Sequence, residues 1–113
     1  MTANSNRGEA LINIGGAERT VRFRTNQIAQ LEEMSGVGII KLLSQESIGI
    51  KILRDAIFVG LVYSDKKLTP NKVGRWLDDF EGDFADLMST VFEALAKSIP
   101  GVDMEEDEDE EGK

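Results

Sequence analysis

The chain has 113 residues, with 13 Lys and Arg against 21 Asp and Glu, for a formal net charge of −8. It contains no Cys and no His, which excludes disulfides, thiolate nucleophiles, Cys-based zinc sites and imidazole acid–base chemistry. The charge is lopsided: eight of the nine positions from Asp103 to Glu111 are acidic, and with Lys113 the segment 103–113 carries −7, leaving −1 for residues 1–102.

The chain therefore reads as a nearly neutral body with an acidic tail. A run of like charges repels itself and has no apolar area to bury, so residues 102–113 are expected to be disordered. Residues 1–8 read as a flexible N-terminus, and 9–101 as one small domain with a modest core. The polar stretch Met1–Gly8 lacks the apolar region of a signal peptide. The most apolar stretch, Ile48 to Tyr63, is broken by Lys51, Arg54 and Asp55 and is too short and too charged to span a bilayer. A cytoplasmic protein is the expectation.

Glu9 to Arg24 predicts a β-hairpin. Ile12 and Ile14 recur at period two, as do Val21 and Phe23, and Gly15-Gly16-Ala17-Glu18 supplies the turn. A lone hairpin is marginal, so its apolar face should pack on helices. Thr25 or Asn26 is the predicted N-cap of a helix carrying Ile28, Leu31 and Met34, with Gly36 just past its end. Ile39-Ile40-Lys41-Leu42-Leu43 predicts one or two further helical turns.

Ser47 is the predicted cap of a central helix from Ile48 to Tyr63. Its first half carries a polar stripe of Lys51, Arg54 and Asp55. Phe58, Val59 and Val62 continue the same sector and are apolar. The second half is thus apolar nearly all round, and something must cover it: the domain itself or a partner. Phe58, Val59, Val62 and Tyr63 are the candidate partner-binding residues.

Ser64-Asp65-Lys66-Lys67 reads as a loop, and Thr69-Pro70 as a helix start with Thr as N-cap and Pro at the first position. Val73, Trp76, Leu77 and Phe80 form one apolar face. Phe84, Leu87, Met88, Val91, Phe92, Leu95 and Ile99 extend the pattern to Pro100-Gly101. Two helices meeting at Gly82 are favoured over one bent helix. The resulting fold class is α+β and mostly helical: an N-terminal hairpin packed on about four helices, with the acidic tail outside.

No motif points to catalysis, a cofactor or a metal. Gly36-Val37-Gly38 with Lys41 lacks the spacing of a phosphate-binding loop. Asp79, Glu81 and Asp83 fall at positions 1, 3 and 5 of a calcium loop, but position 6 is Phe84 and position 12 is Thr90. With Asp78 and Asp86 they read as a solvated helix junction, Asp83 capping the second of the two helices. Arg19, Arg22 and Arg24 are the one basic concentration, and they read as the solvent face of the hairpin rather than a nucleic-acid surface. Trp76 reads as core.

The layout as a whole carries more than its parts. A hairpin ending Val21-Arg22-Phe23-Arg24-Thr25-Asn26 leads to Ile28-Ala29-Gln30-Leu31-Glu32-Glu33. A Gly-containing apolar linker comes after it, then a helix with Leu53-Arg54-Asp55-Ala56-Ile57-Phe58-Val59-Gly60-Leu61. Leu68-Thr69-Pro70-Asn71-Lys72-Val73-Gly74 is next, and last a helix ending Ala94-Leu95-Ala96-Lys97-Ser98-Ile99-Pro100. Over about residues 9–100 this order and spacing resembles the small tail assembly chaperones of long-tailed bacteriophages and their gene transfer agent relatives. The acidic end is not part of the shared pattern.

The resemblance implies a non-enzymatic, ATP-independent chaperone that coats the long helical tape measure protein and helps recruit tail tube subunits. The implied partners are the tape measure protein, the tail tube protein and a longer frameshift product, with a homo-oligomer as a further option. Nucleic acid and membrane are not among them. The implied location is the host cytoplasm and not the mature virion. Two other readings stay open: an acidic-tailed adaptor or inhibitor that occupies a basic nucleic-acid-binding surface, and a structural tail or connector protein.

Overall fold

The computed structural model describes residues 8–44 and 49–99. The expected N-terminal segment, except Gly8, and the expected acidic tail lie outside them. The described chain runs β1 (Glu9–Ile14), β2 (Ala17–Arg22), α1 (Thr25–Ser35), α2 (Ile39–Leu43), α3 (Ile50–Leu61), α4 (Pro70–Asp78) and α5 (Phe84–Lys97). The fold is α+β and mostly helical, with the hairpin first.

The strands are antiparallel, pairing Glu9 with Arg22 and Ile14 with Ala17. Gly15 and Gly16 form a two-residue turn with φ +65° and +79°. Two consecutive left-handed residues match the twist of the flanking strands, and glycine adopts them without strain. Ala17 and Glu18, expected in the turn, therefore begin β2. The register puts Ile12, Ile14, Val21 and Phe23 on one face, and all four are buried. Beneath that face α3 runs against β2 and α5 against β1.

The hairpin approaches α3 closely at Gly60. A Cβ there would stand 3.0 Å from Val21 Cβ and 3.0 Å from Phe23 Cζ. Gly8 is buried rather than a free end: a Cβ on it would meet Ser98 Cβ at 2.5 Å, so the start of the hairpin sits on the end of α5.

The cap of α1 is Arg24, one residue before the expected pair. Its backbone N–H donates to Gln27 Oε1 (3.0 Å), while Thr25 and Asn26 lie inside the helix. Gly36 ends α1 in the left-handed conformation (φ +74°), as its position predicts. Glu32 then reaches forward, its Oε2 accepting from the Ile39 N–H (2.8 Å) at the start of α2.

Helix α3 begins after Gly49, and the expected Ser47 cap and Ile48 lie outside the described residues. Every residue from Asp55 to Leu61 is buried, because α1, α4, α5 and β2 all pack against this helix. The domain itself covers the apolar half. The polar half departs from expectation. Asp55 does not share a solvent face with Lys51 and Arg54; it is 0% exposed. Lys51 Nζ lies 2.7 Å from Oδ2 and Arg54 Nη2 2.9 Å from Oδ1, with Arg54 Nε also donating to Oδ1 (2.9 Å). Lys51 continues to the Met34 carbonyl of α1 (3.4 Å). The carboxylate sits beneath two cations whose stems cover it.

Thr69 Oγ1 accepts from Lys72 N (3.1 Å) with Pro70 at the first position of α4, as expected. Asp83 Oδ1 accepts from Ala85 N (2.8 Å) and Asp86 N (3.3 Å), starting α5 afresh. Residues 70–97 are thus two helices. Phe84, expected in the core, is exposed and meets Phe80 edge-on at 5.4 Å.

Gly60→Val should destabilise the fold by about 1–3 kcal/mol, because the added branches overpack Val21 and Phe23; urea unfolding at constant m-value measures it. Asp55→Ala should lose about 1.5–3 kcal/mol, the range for hydrogen bonds to charged groups. Asp55→Asn should restore part of that loss in the same assay.

Candidate partner-binding surface

The structure separates the four expected partner-binding residues. Phe58 and Val59 belong to the core, at 8% and 0% exposure. They present no groove here, because the hairpin and neighbouring helices occupy the sector that the sequence left open. Val62 and Tyr63, beyond the end of α3, are half-buried. Tyr63 is committed to the hairpin: its hydroxyl donates to the Thr20 carbonyl (3.1 Å), and the Arg22 guanidinium lies over its ring at 5.0 Å.

The three arginines are likewise not a free basic face. Arg19 donates from Nε to the Ile14 carbonyl (2.8 Å) and from Nη2 to the Gly15 carbonyl (3.0 Å). Its guanidinium stacks on Trp76 at 4.2 Å, a cation–π contact. Arg24 pairs with Glu9 (3.3 Å). Trp76 is half-buried rather than core, and it lies flat against the hairpin tip: a Cβ on Gly15 would fall 2.5 Å from its ring.

Beside this contact a cleft of about 940 Å³ opens between the hairpin and the junction of α4 with α5. Ile12, Ile14, Trp76, Phe80 and Leu87 supply its apolar lining, and Leu11, 37% exposed, stands at its edge. Glu18, Asp79, Glu81, Asp83 and Asp86 also line it, and among the described residues no Lys or Arg does. The acidic cluster noted in the sequence is therefore one wall of a concavity whose other wall is β1. The phenyl ring of Phe80 folds back over Gly82, where a Cβ would come within 2.7 Å of it. Among the described residues no group of acids is placed to hold a metal ion.

Sequence reasoning missed this cleft. One signal was available: Leu11 and Ile12 are adjacent apolar residues in a strand of period two, so one of them must leave the core face. The other signal was Phe84, an aromatic set among acids in the first turn of a helix.

A second, smaller cleft of about 340 Å³ lies between the Glu18–Thr20 stretch of β2 and Tyr63, Leu68 and Trp76. Among the described residues no helix is long and apolar enough to cross a membrane. No family model, curated protein or solved structure matches the chain.

Gly15→Ala should be costly on two counts, a side chain at positive φ and a collision with Trp76. The expected loss is about 1–3 kcal/mol. Trp76 is the one tryptophan of the chain, so a change in its native-state emission should accompany the loss of stability.

Proposed function

We propose that this protein is an ATP-independent tail assembly chaperone of a long-tailed phage or related particle, which binds the tape measure protein and assists tail tube assembly in the cytoplasm of the bacterial host. The observation that carries the reading is the ordered resemblance over about residues 9–100. A chaperone of this kind needs accessible apolar surface. Leu11, Ile40, Ile50 and Phe84 are exposed large apolar side chains, at 37%, 60%, 53% and 36%. Burying such surface against an amphipathic helix stabilises a complex by roughly 25 cal/mol per Å² before the costs of association.

The near-neutral body and the acidic run at 103–111 divide the labour in this reading. The body provides contact surface. The −7 segment keeps loaded complexes apart by charge repulsion.

Co-expression with the tape measure protein of the same genome tests the reading. The tape measure protein should become soluble and co-purify with this chain, and should still do so when residues 103–113 are removed. If its solubility is the same with and without this chain, the reading fails. If binding disappears with the acidic segment and falls steeply with salt, the chain is an acidic adaptor instead.

A further inference from the structure

The outer edge of β1 borders the acid-lined cleft, and at Leu11 and Asn13 it carries backbone groups with no partner among the described residues. In an antiparallel ladder, residues that exchange hydrogen bonds alternate with residues whose N–H and C=O point away from the partner strand. The Phe23 N–H donates to the Gly8 carbonyl (3.0 Å), and the two-residue turn closes on Ile14 and Ala17. Counting by twos between these ends places Ala10 and Ile12 among the bonded positions. Leu11 and Asn13 then direct their N–H and C=O outward from the hairpin, and both residues line the cleft. No hydrogen bond from outside the hairpin reaches either backbone among the described residues. The corresponding edge of β2 is different, because its Thr20 carbonyl accepts from Tyr63.

We propose that β1 accepts a third strand from a protein partner: an extended segment with apolar residues at alternate positions and Lys or Arg between them. Three features select that occupant. The outward groups of Leu11 and Asn13 match the backbone of an extended chain. The side chains on one face of such a strand turn toward the α4–α5 wall that carries the acids, and those on the other face lie beside the exposed Leu11. Among the described residues the carboxylates of Glu18, Asp79, Glu81 and Asp86 make no hydrogen bond or ion pair, and no Lys or Arg lines the cleft.

Charge also argues against two alternative occupants. A second copy pairing edge to edge would bring two acidic walls together. The acidic run at 103–111 would meet like charge. The strand-donating partner need not be a tape measure protein.

The probe is a blocked seven-residue peptide alternating Lys and Val, titrated into the full-length protein. NMR should show saturable shifts at the Leu11 and Asn13 amides and slower hydrogen exchange there, with a change in Trp76 emission. The same peptide N-methylated at alternate residues keeps its charge and any attraction to the acidic run, but loses the donors of one edge. It should bind at least tenfold more weakly. A Glu/Val peptide should not bind, and the double variant Asp79→Lys, Asp86→Lys should weaken the Lys/Val peptide at least tenfold.

Equal binding of the N-methylated peptide overturns the proposal, as does the absence of shifts at Leu11 and Asn13 at millimolar peptide. Protection of those two amides in the protein alone also overturns it, since residues 1–7 or a second copy would then already hold the edge. Failure of the tape measure co-expression leaves these outcomes unaffected, so the two readings fail separately.

Discussion

Val21 and Phe23 rest against Gly60, and the rest of the molecule is arranged around that approach. A two-stranded sheet has too little apolar area to stand alone. It persists here because its buried face meets helices at very short range. The same device recurs at its two ends, where Gly8 sits on Ser98 and Gly15 on the ring of Trp76. The hairpin is thus held at its open end, by Gly60 and Ser98, and at its tip, by Trp76. Phe58 and Val59 are buried as well, on a helix against which α1, α4 and α5 also pack.

Charge obeys the same geometry. Asp55 lies inside, with two cations closing over it, and Lys51 ties the group to the end of α1. Such an ion pair is weak evidence for stability but a strong constraint on how α3 sits against its neighbours. The arginines of the hairpin and its exit are held locally, Arg19 by the hairpin tip and Trp76, Arg22 by Tyr63, Arg24 by Glu9. Among the described residues the carboxylates of Glu18, Asp79, Glu81 and Asp86 form no ion pair, and they line the cleft beside β1.

For a binding protein this arrangement separates structure from contact. The hairpin's inner face and the second half of α3 are spent on the core. What remains accessible is the hairpin's outer edge, the junction loop with Phe80 and Phe84, and isolated apolar residues such as Ile40 and Ile50. The half-apolar central helix drew attention to residues that the domain needs for itself.

Much of the fold was legible in the sequence because it is written in local chemistry. Period two gave the hairpin, Thr69-Pro70 the start of α4, Gly36 the end of α1 and Asp83 the start of α5; each depends on backbone groups within a few residues. The cap at Arg24 was missed because Gln27 supplies the acceptor from inside the helix. The Glu32 cap of α2 was missed because its two ends belong to different helices. Asp55, Phe84 and Trp76 were misplaced in burial for a further reason. A helical period says which residues share a face, but not which neighbour will cover it. The sequence alone determined the elements, their order and the division of charge between body and tail. Tertiary structure decided which apolar faces are core and which acids stay unpaired, because burial and pairing depend on elements far apart in the chain.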